Sequence, residues 1–271
     1  RSTPLYSSAA SDVYKRQISL SGGVDSALVA YAAFEEIGKN AIAVTADYKT
    51  LAQDELDSAK KIVHEIGIKH MIISYDELDN ENFVKNDKNR CFYCRDELSE
   101  KLLILSKQLG TEVIVDGTHT DDLGDYRPGI EALHKNGIRS PLLETNFTKQ
   151  DIRDQTKIIG LSIYDRPSNS CLASRIPWGQ RVTAERLARV EMGELIIKQS
   201  IDTKQVRVRD LDGIAKIEVD IDKIPLLRDN QKIEEISEKL QMLGFSSVQV
   251  DYDGYMPVSY THLTLPTNRE V

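Results

Sequence analysis

Apolar residues recur along this chain in two rhythms. Short aliphatic runs over 41–47, 69–74 and 112–116 have the length of buried strands, and a shorter run covers 18–20. Between them lie amphipathic stretches, 27–37, 51–66, 95–109 and 148–159, with apolar positions three or four apart. That spacing predicts helices. Gly38, Gly67 and Gly110 stand where helix C-caps belong. Thr148 stands at an N-cap, with Asp151 in the first turn. Strands alternating with helices predict an α/β fold with a doubly wound parallel sheet. Ligands of such sheets bind beyond the carboxyl ends of the strands. The loops after Leu20, Asp47 and Asp116 are therefore expected to converge on one site.

The rhythm changes after Pro177. A helix is predicted over 183–199, an alternating strand over 205–209, a turn over 210–213 and a second strand over 214–219. A helix over 233–243 and a strand over 247–251 complete a smaller α+β domain. The expected division is a first domain over 18–166, a linker over 167–180 that carries Cys171, and a second domain over 181–256. Residues 1–17 and 257–271 carry neither period nor caps. They resemble read-through of adapter or vector sequence and are expected to be foreign tails outside the fold.

Composition narrows the function. The 271 residues are 40% hydrophobic and 29% charged, ordinary for a globular protein. The formal net charge of −8 argues against a sequence-independent nucleic-acid binder, which needs a basic footprint. No apolar run reaches the roughly 18–20 residues that span a bilayer, and no signal peptide is visible. A cytoplasmic enzyme with a small-molecule substrate, and with neither nucleic acid nor membrane as partner, is the expectation.

Ser21-Gly22-Gly23-Val24-Asp25-Ser26 sits between the first strand and the first helix. Two glycines let the backbone approach a phosphate, and the helix N-terminus adds partial positive charge. The two serine hydroxyls can donate further hydrogen bonds. Neither a Walker loop nor a dinucleotide fingerprint is present. The pattern resembles the PP-loop enzymes, which cleave ATP between the α and β phosphates and form adenylated intermediates. Asp116-Gly117-Thr-His-Thr-Asp121-Asp122 follows another strand. Adjacent carboxylates beside a triphosphate suit Mg²⁺, a cation that prefers oxygen ligands. A solvated acidic turn is the competing reading.

The chain has three cysteines. Cys91 and Cys94 have C-x-x-C spacing, which fits a redox pair, half a zinc site, a cluster loop or a disulfide. His119 could supply a fourth zinc ligand, although no spacing demands it. Three thiolates would leave one iron of a [4Fe–4S] cluster free to hold an exogenous sulfide. Cys171 lies four residues before Arg175, a cation that could favour its thiolate or bind substrate. Arg207 and Arg209 are two apart on a strand and so share a face. On spacing alone they read as a solvated face.

Several segments together resemble one family. They are Asp116-Gly-Thr-x-x-Asp-Asp-Leu-Gly-Asp-Tyr-Arg-Pro-Gly129, Arg139-Ser-Pro-Leu-Leu-Glu144, Cys171-Leu-Ala-Ser-Arg-Ile-Pro-Trp-Gly179 and Val206-Arg-Val-Arg209. The family is the ATP-dependent sacrificial sulfur transferases of lactate racemase maturation (LarE), and the likeness covers nearly all of 18–255. The resemblance implies ATP, Mg²⁺ and a nucleotide substrate, pyridinium-3,5-biscarboxylic acid mononucleotide. Its carboxylates would be adenylated and then converted to thiocarboxylates in nickel-pincer cofactor synthesis. Ser21, Gly22, Gly23, Asp25, Ser26, Gly117, Asp121 and Asp122 would serve ATP. Arg175, Arg207 and Arg209 would bind substrate, with Glu218 near a metal or substrate. Some members carry one cysteine, matching Cys171, which gives up its own sulfur. Others carry three and are thought to hold a [4Fe–4S] cluster, and Cys91, Cys94 and Cys171 match those. A homo-oligomer is implied as well. Amide formation of the NAD or GMP synthetase kind and tRNA thiolation are the rival activities. The sulfur transfer reading expects the phosphate loop and the Cys171 sulfur to open onto one cavity.

Overall fold

The computed structural model describes residues 15–124 and 127–255. The expected tails, apart from residues 15–17, lie outside the described residues, as do Asp125 and Tyr126.

Four strands form the first sheet: β1 (Lys15–Ser19), β2 (Ala41–Asp47), β3 (Lys69–Ser74) and β4 (Thr111–Val115). Their order is β3-β2-β1-β4, and every pairing is parallel. The first strand begins at Lys15, so three residues assigned to the foreign tail belong to the sheet: Lys15 pairs with β4, and Arg16 and Gln17 pair with both neighbours. The helices that follow the strands are α1 (Val24–Ile37), α2 (Gln53–Ile66), the short α3 (Glu81–Val84) and α4 (Arg90–Leu109). Three more, α5 (Pro128–Lys135), α6 (Pro141–Glu144) and α7 (Lys149–Ile158), complete this half.

Strand period 2 sorts β2 between two cores. Ala41 and Ala43 join the cluster beneath α1, α2 and α7, while Ile42, Val44 and Ala46 join the one beneath α4 and α5. A sheet covered on both faces reads as a continuous apolar run, which is why β2 shows no alternation in sequence. α7 starts with a capping box, in which Thr148 and Asp151 satisfy each other's backbone N–H groups.

Strand order reverses at the β1/β4 boundary, the switch point where such sheets bind ligands. The loops after β1 and β4 meet there. A Cβ on Gly117 would come within 2.7 Å of the Ser26 backbone nitrogen, so only glycine allows the approach.

The second half has α8 (Ala184–Ile201), the hairpin β5 (Val206–Leu211) and β6 (Ile214–Val219), α9 (Ile224–Leu227), α10 (Asn230–Met242) and β7 (Ser247–Val250). The hairpin turns on Asp212 and Gly213, both with positive φ. β7 adds in parallel to β6. Val206, Val208, Ala215, Ile217 and Val219 face a core shared with α8 and α10. Between the halves, Leu172, Ala173 and Ile176 of the linker are fully buried with Phe83 and Val84. Among the described residues no helix is long and apolar enough to cross a membrane.

Candidate active site

The phosphate loop is shaped by its backbone. Gly22 has φ +84°, and a Cβ there would sit 2.3 Å from the Glu55 carbonyl oxygen. Both the conformation and the space require glycine. Gly23 is the N-cap of α1, so the unpaired first-turn N–H groups of that helix open at the loop. Ser26 is buried and serves the loop itself: its hydroxyl accepts from the Ser21 N–H at 3.2 Å and donates to the Gly23 carbonyl at 3.1 Å. Ser58 and Arg166 both donate to the Gly22 carbonyl, at 2.9 and 3.2 Å.

Charge gathers at the mouth of this loop. Lys149 Nζ meets both oxygens of Asp25, at 2.6 and 2.7 Å. His119 Nε2 lies 3.8 Å from Asp25 and 3.5 Å from Asp122. Its Nδ1 is buried without a partner. Arg127 pairs with Asp122 at 3.1 Å. Asp121 accepts instead from the Lys149 backbone N–H at 2.8 Å. The two adjacent carboxylates thus turn to different partners. Lys149, Arg127 and Arg166 place three cations around a loop built for an anion, although the whole chain is acidic.

The C-x-x-C segment departs from its predicted position. The helix was expected to begin at Arg95, but α4 begins at Arg90, so Cys91 and Cys94 occupy its first turns on one face. All three cysteines are free and half-buried, so no Cys91–Cys94 disulfide is formed in this structure. Cys94 and Cys171 pack against the same linker core. Burial pushes the Cys94 thiol up to about 12 against the pull of Arg95, and the Cys171 and Cys91 charges add to the rise. Burial, then the Cys171 charge, also raises Cys91, while Arg90 and Arg95 oppose. Cys91 and Cys94 therefore each lie within electrostatic reach of Cys171.

Among the described residues no three His, Cys, Asp or Glu side chains are grouped to hold a single metal ion. A zinc site completed by His119 is accordingly not formed; that side chain belongs to the phosphate-loop mouth. A four-iron cluster makes a looser demand, since each thiolate binds a separate iron. In kind and number the three thiols fit that demand.

Arg175 does not play its predicted part. Its side chain is fully buried and forms a bidentate pair with Glu194, at 2.7 and 3.1 Å. Nη1 reaches the carbonyls of Ser170 and Cys171, and Nη2 reaches Asn169. All five N–H groups are thereby engaged with protein. Arg175 grips the backbone of the Cys171 loop instead of offering a guanidinium to a thiolate or substrate.

Arg207, Arg209 and Glu218 do share one face, since Arg207 pairs directly with Glu218 across the hairpin ladder. Glu218, however, is held by Arg209 in a bidentate pair, at 2.5 and 2.8 Å. Arg207 is different. It is buried, donates to the Val206 and Ser168 carbonyls, and meets Tyr255 through both a side-chain hydrogen bond and a stacking contact. Among the described residues it has no carboxylate ion pair. Burial and then the Arg175 charge lower its pKa. Arg207 lines a cleft of about 510 Å³ together with Ser58, Arg166, Ser168, Asn169 and Lys204. Neither Cys171 nor Gly22 lines that cleft. The cavity expected to join them is not this one.

What joins them is the linker. Arg166 holds Gly22, and Cys171 follows five residues later. Five residues span at most about 18 Å. At the far end, the Leu172 N–H donates to the Thr50 carbonyl beyond β2, at 2.9 Å. Buried Glu77 fixes that turn by accepting from the Lys49 and Thr50 N–H groups, at 3.0 and 2.6 Å. Lys149, Arg166, Glu77, Arg90 and Glu194 were missed in the sequence. Their partners lie far away along the chain, and no local spacing signals such pairs.

A family profile described as queuosine biosynthesis protein QueC matches residues 16–88. An uncharacterized protein of Synechocystis sp. is 39% identical over 88% of this chain and 88% of its own length. The NH(3)-dependent NAD(+) synthetase of Fusobacterium nucleatum is 39% identical over 27% of this chain and 29% of its own. The pyridinium-3,5-bisthiocarboxylic acid mononucleotide synthase of Lactiplantibacillus plantarum is 30% identical over 91% of this chain and 89% of its own length. With a glycine-shaped phosphate loop at the sheet's switch point and a likeness spanning both halves, the chain belongs to the family of that synthase, the LarE-type PP-loop enzymes.

Proposed function

We propose that this chain is an ATP-dependent sulfur transferase that converts a carboxylate of pyridinium-3,5-biscarboxylic acid mononucleotide into a thiocarboxylate. The observation that carries this reading is the stretch from Arg166 to Cys171, which grips the phosphate loop through Arg166 and presents Cys171 beside Cys91 and Cys94.

The substrate carboxylate attacks the α-phosphorus of ATP, and pyrophosphate leaves into the loop of Gly22 and Gly23. Backbone N–H groups at the start of α1, with Lys149 and Arg127, oppose the charge that develops on the leaving group. Mg²⁺ would accompany ATP, and Asp25 and Asp122 are the carboxylates at the loop mouth that would take it. Arg207 binds the substrate phosphate. A buried guanidinium without a carboxylate partner favours an anionic ligand. The sulfur centre of Cys91, Cys94 and Cys171 then supplies the nucleophile that attacks the acyl carbon, and AMP departs. Cys91, Cys94 and Cys171 would hold a [4Fe–4S] cluster, whose open iron would supply bound sulfide.

Substrate-dependent release of AMP and pyrophosphate from ATP, measured on anaerobically purified protein, tests the reading. Release only with the dicarboxylate mononucleotide supports it. Release that requires ammonia and yields an amide would move the chain to the NAD synthetase type. Iron and sulfide analysis of the same sample reads the cluster.

A further inference from the structure

Cys171 is 77 residues beyond Cys94 in the sequence, so something other than the local chain must bring their two segments into register. The segment before α4 and the linker are zipped together. The Val182 N–H donates to the Val84 carbonyl and the Gly179 N–H to the Asn86 carbonyl, each at 2.9 Å. Asn86 is fully buried and has φ +58°, a left-handed conformation that asparagine tolerates. Its amide nitrogen reaches the carbonyls of Ile176, Pro177 and Gln180, at 3.2, 2.8 and 2.9 Å. Its amide oxygen accepts from Arg90 Nη1 at 2.5 Å. The same Nη1 donates to the Ala173 carbonyl at 2.8 Å. Arg90 immediately precedes Cys91, and Ala173 is two residues beyond Cys171.

Several anchors therefore hold the Cys171 loop, among them Arg209, whose Nη1 donates to the Ser174 carbonyl at 3.3 Å. Arg175 grips it from within, and Thr50 reaches it from the end of β2. Arg90 is the anchor that comes from the helix bearing Cys91 and Cys94. A buried guanidinium is an expensive way to tie a loop, since its desolvation needs compensation by hydrogen bonds. A hydrophobic residue would pack the same core without fixing distance or direction.

We propose that Arg90, seated by Asn86, is a positioning residue for sulfur transfer, fixing the Cys171 loop against the helix that carries Cys91 and Cys94. The proposal rests on the sulfur-centre reading above. Its geometry can nevertheless be read without any turnover.

The test uses the full chain with Arg90→Met and Arg90→Lys. A short thiol-bridging reagent, dibromobimane, is applied, and bridges from Cys171 to Cys91 or Cys94 are counted by peptide mass spectrometry. Thiocarboxylate formed per AMP released is measured in parallel. Arg90→Met is expected to lower the bridge yield severalfold and the thiocarboxylate-to-AMP ratio by about a hundredfold, the effect of a small misplacement of reacting groups. AMP release should stay within twofold. Arg90→Lys, which keeps one donor near Ala173, is expected to recover part of both losses. Bridging and ratio at wild-type levels in a folded Arg90→Met protein would overturn the proposal. Should that variant fail to fold, Asn86→Gly keeps the left-handed backbone while removing all the amide contacts, and the same two readings decide. Wild-type protein that releases no AMP would sink the proposed function, while the bridging yields would still judge Arg90.

Discussion

The phosphate loop and the cysteine loop solve the same problem, holding a few atoms still, with opposite means. The first relies on backbone. Gly22 and Gly117 pack main chain against main chain, and buried Ser26 ties the loop to itself. The second relies on buried polar and charged side chains, within the loop and from other elements. Arg175, Glu194, Arg90 and Asn86 reach into it across 4 to 94 residues. A backbone cradle suits a ligand recognised by its charge alone. A loop that must present one sulfur to a reacting carbon needs its direction fixed, and paired side chains provide that.

Substitutions can break each device separately. Gly22→Ala is expected to do most damage to function, because it meets both the Glu55 carbonyl and a positive φ. Loss of about 3 kcal/mol of stability and of ATP-dependent AMP release is the expected result, read by thermal unfolding and nucleotide analysis. Gly23→Ala is the control, since its added Cβ meets only Ser21 Oγ, at 3.5 Å. That variant should fold normally and lose function at the loop alone.

Arg175→Met comes next. It strands Glu194 in the core without its counter-charge, and breaking such a pair costs about 3–5 kcal/mol. Denaturant unfolding should show it, and Arg175→Lys should recover little, because one ammonium cannot replace the fork. Lys149→Met is a sharper probe of the loop mouth. The Lys149–Asp25 pair is partly exposed, so stability should change by no more than about 1 kcal/mol. AMP release should nonetheless fall by about a hundredfold to a thousandfold. Equal losses of stability and rate would make Lys149 structural.

The smallest effect is on pH. Burial holds the Cys94 thiol neutral up to about 12, above its ordinary 9.0. Alkylation of Cys94 by iodoacetamide should therefore be slow at pH 7 and keep rising beyond pH 9. The sign for stability follows. The unfolded thiol ionises first, so the contribution is complete below about 9 and is lost as pH climbs toward the folded value. A Cys94 alkylation profile with its midpoint near 9 would contradict this burial.

The contrast between the two loops also explains what could be read beforehand. Backbone devices leave local marks. Ser21–Ser26, Gly117 and the Thr148 cap were legible because glycines and caps stand next to what they shape. Strand and helix positions followed from period, apart from the start of β1, the extension of α4 back to Arg90, and the helices α3, α5, α6 and α9, which no expected element covered. Lys15–Gln17 are polar yet paired, Arg16 and Gln17 on both sides, so hydrophobicity could not show them. Side-chain devices leave no such mark. Arg175 reads as a free cation near Cys171 until Glu194, nineteen residues on, is seen to hold it. Arg209 and Glu218 look like two ligands until they are seen to hold each other. Of the two arginines on that face, Arg207 forms no carboxylate ion pair among the described residues.

The most direct measurement replaces the sulfur and leaves the phosphate loop intact. Cys171→Ala protein, given ATP and the dicarboxylate mononucleotide, should still release AMP and pyrophosphate and should form no thiocarboxylate by mass spectrometry. Thiocarboxylate formed at the wild-type rate would contradict the account, because the sulfur would then reach the acyl carbon by a route that bypasses this cysteine.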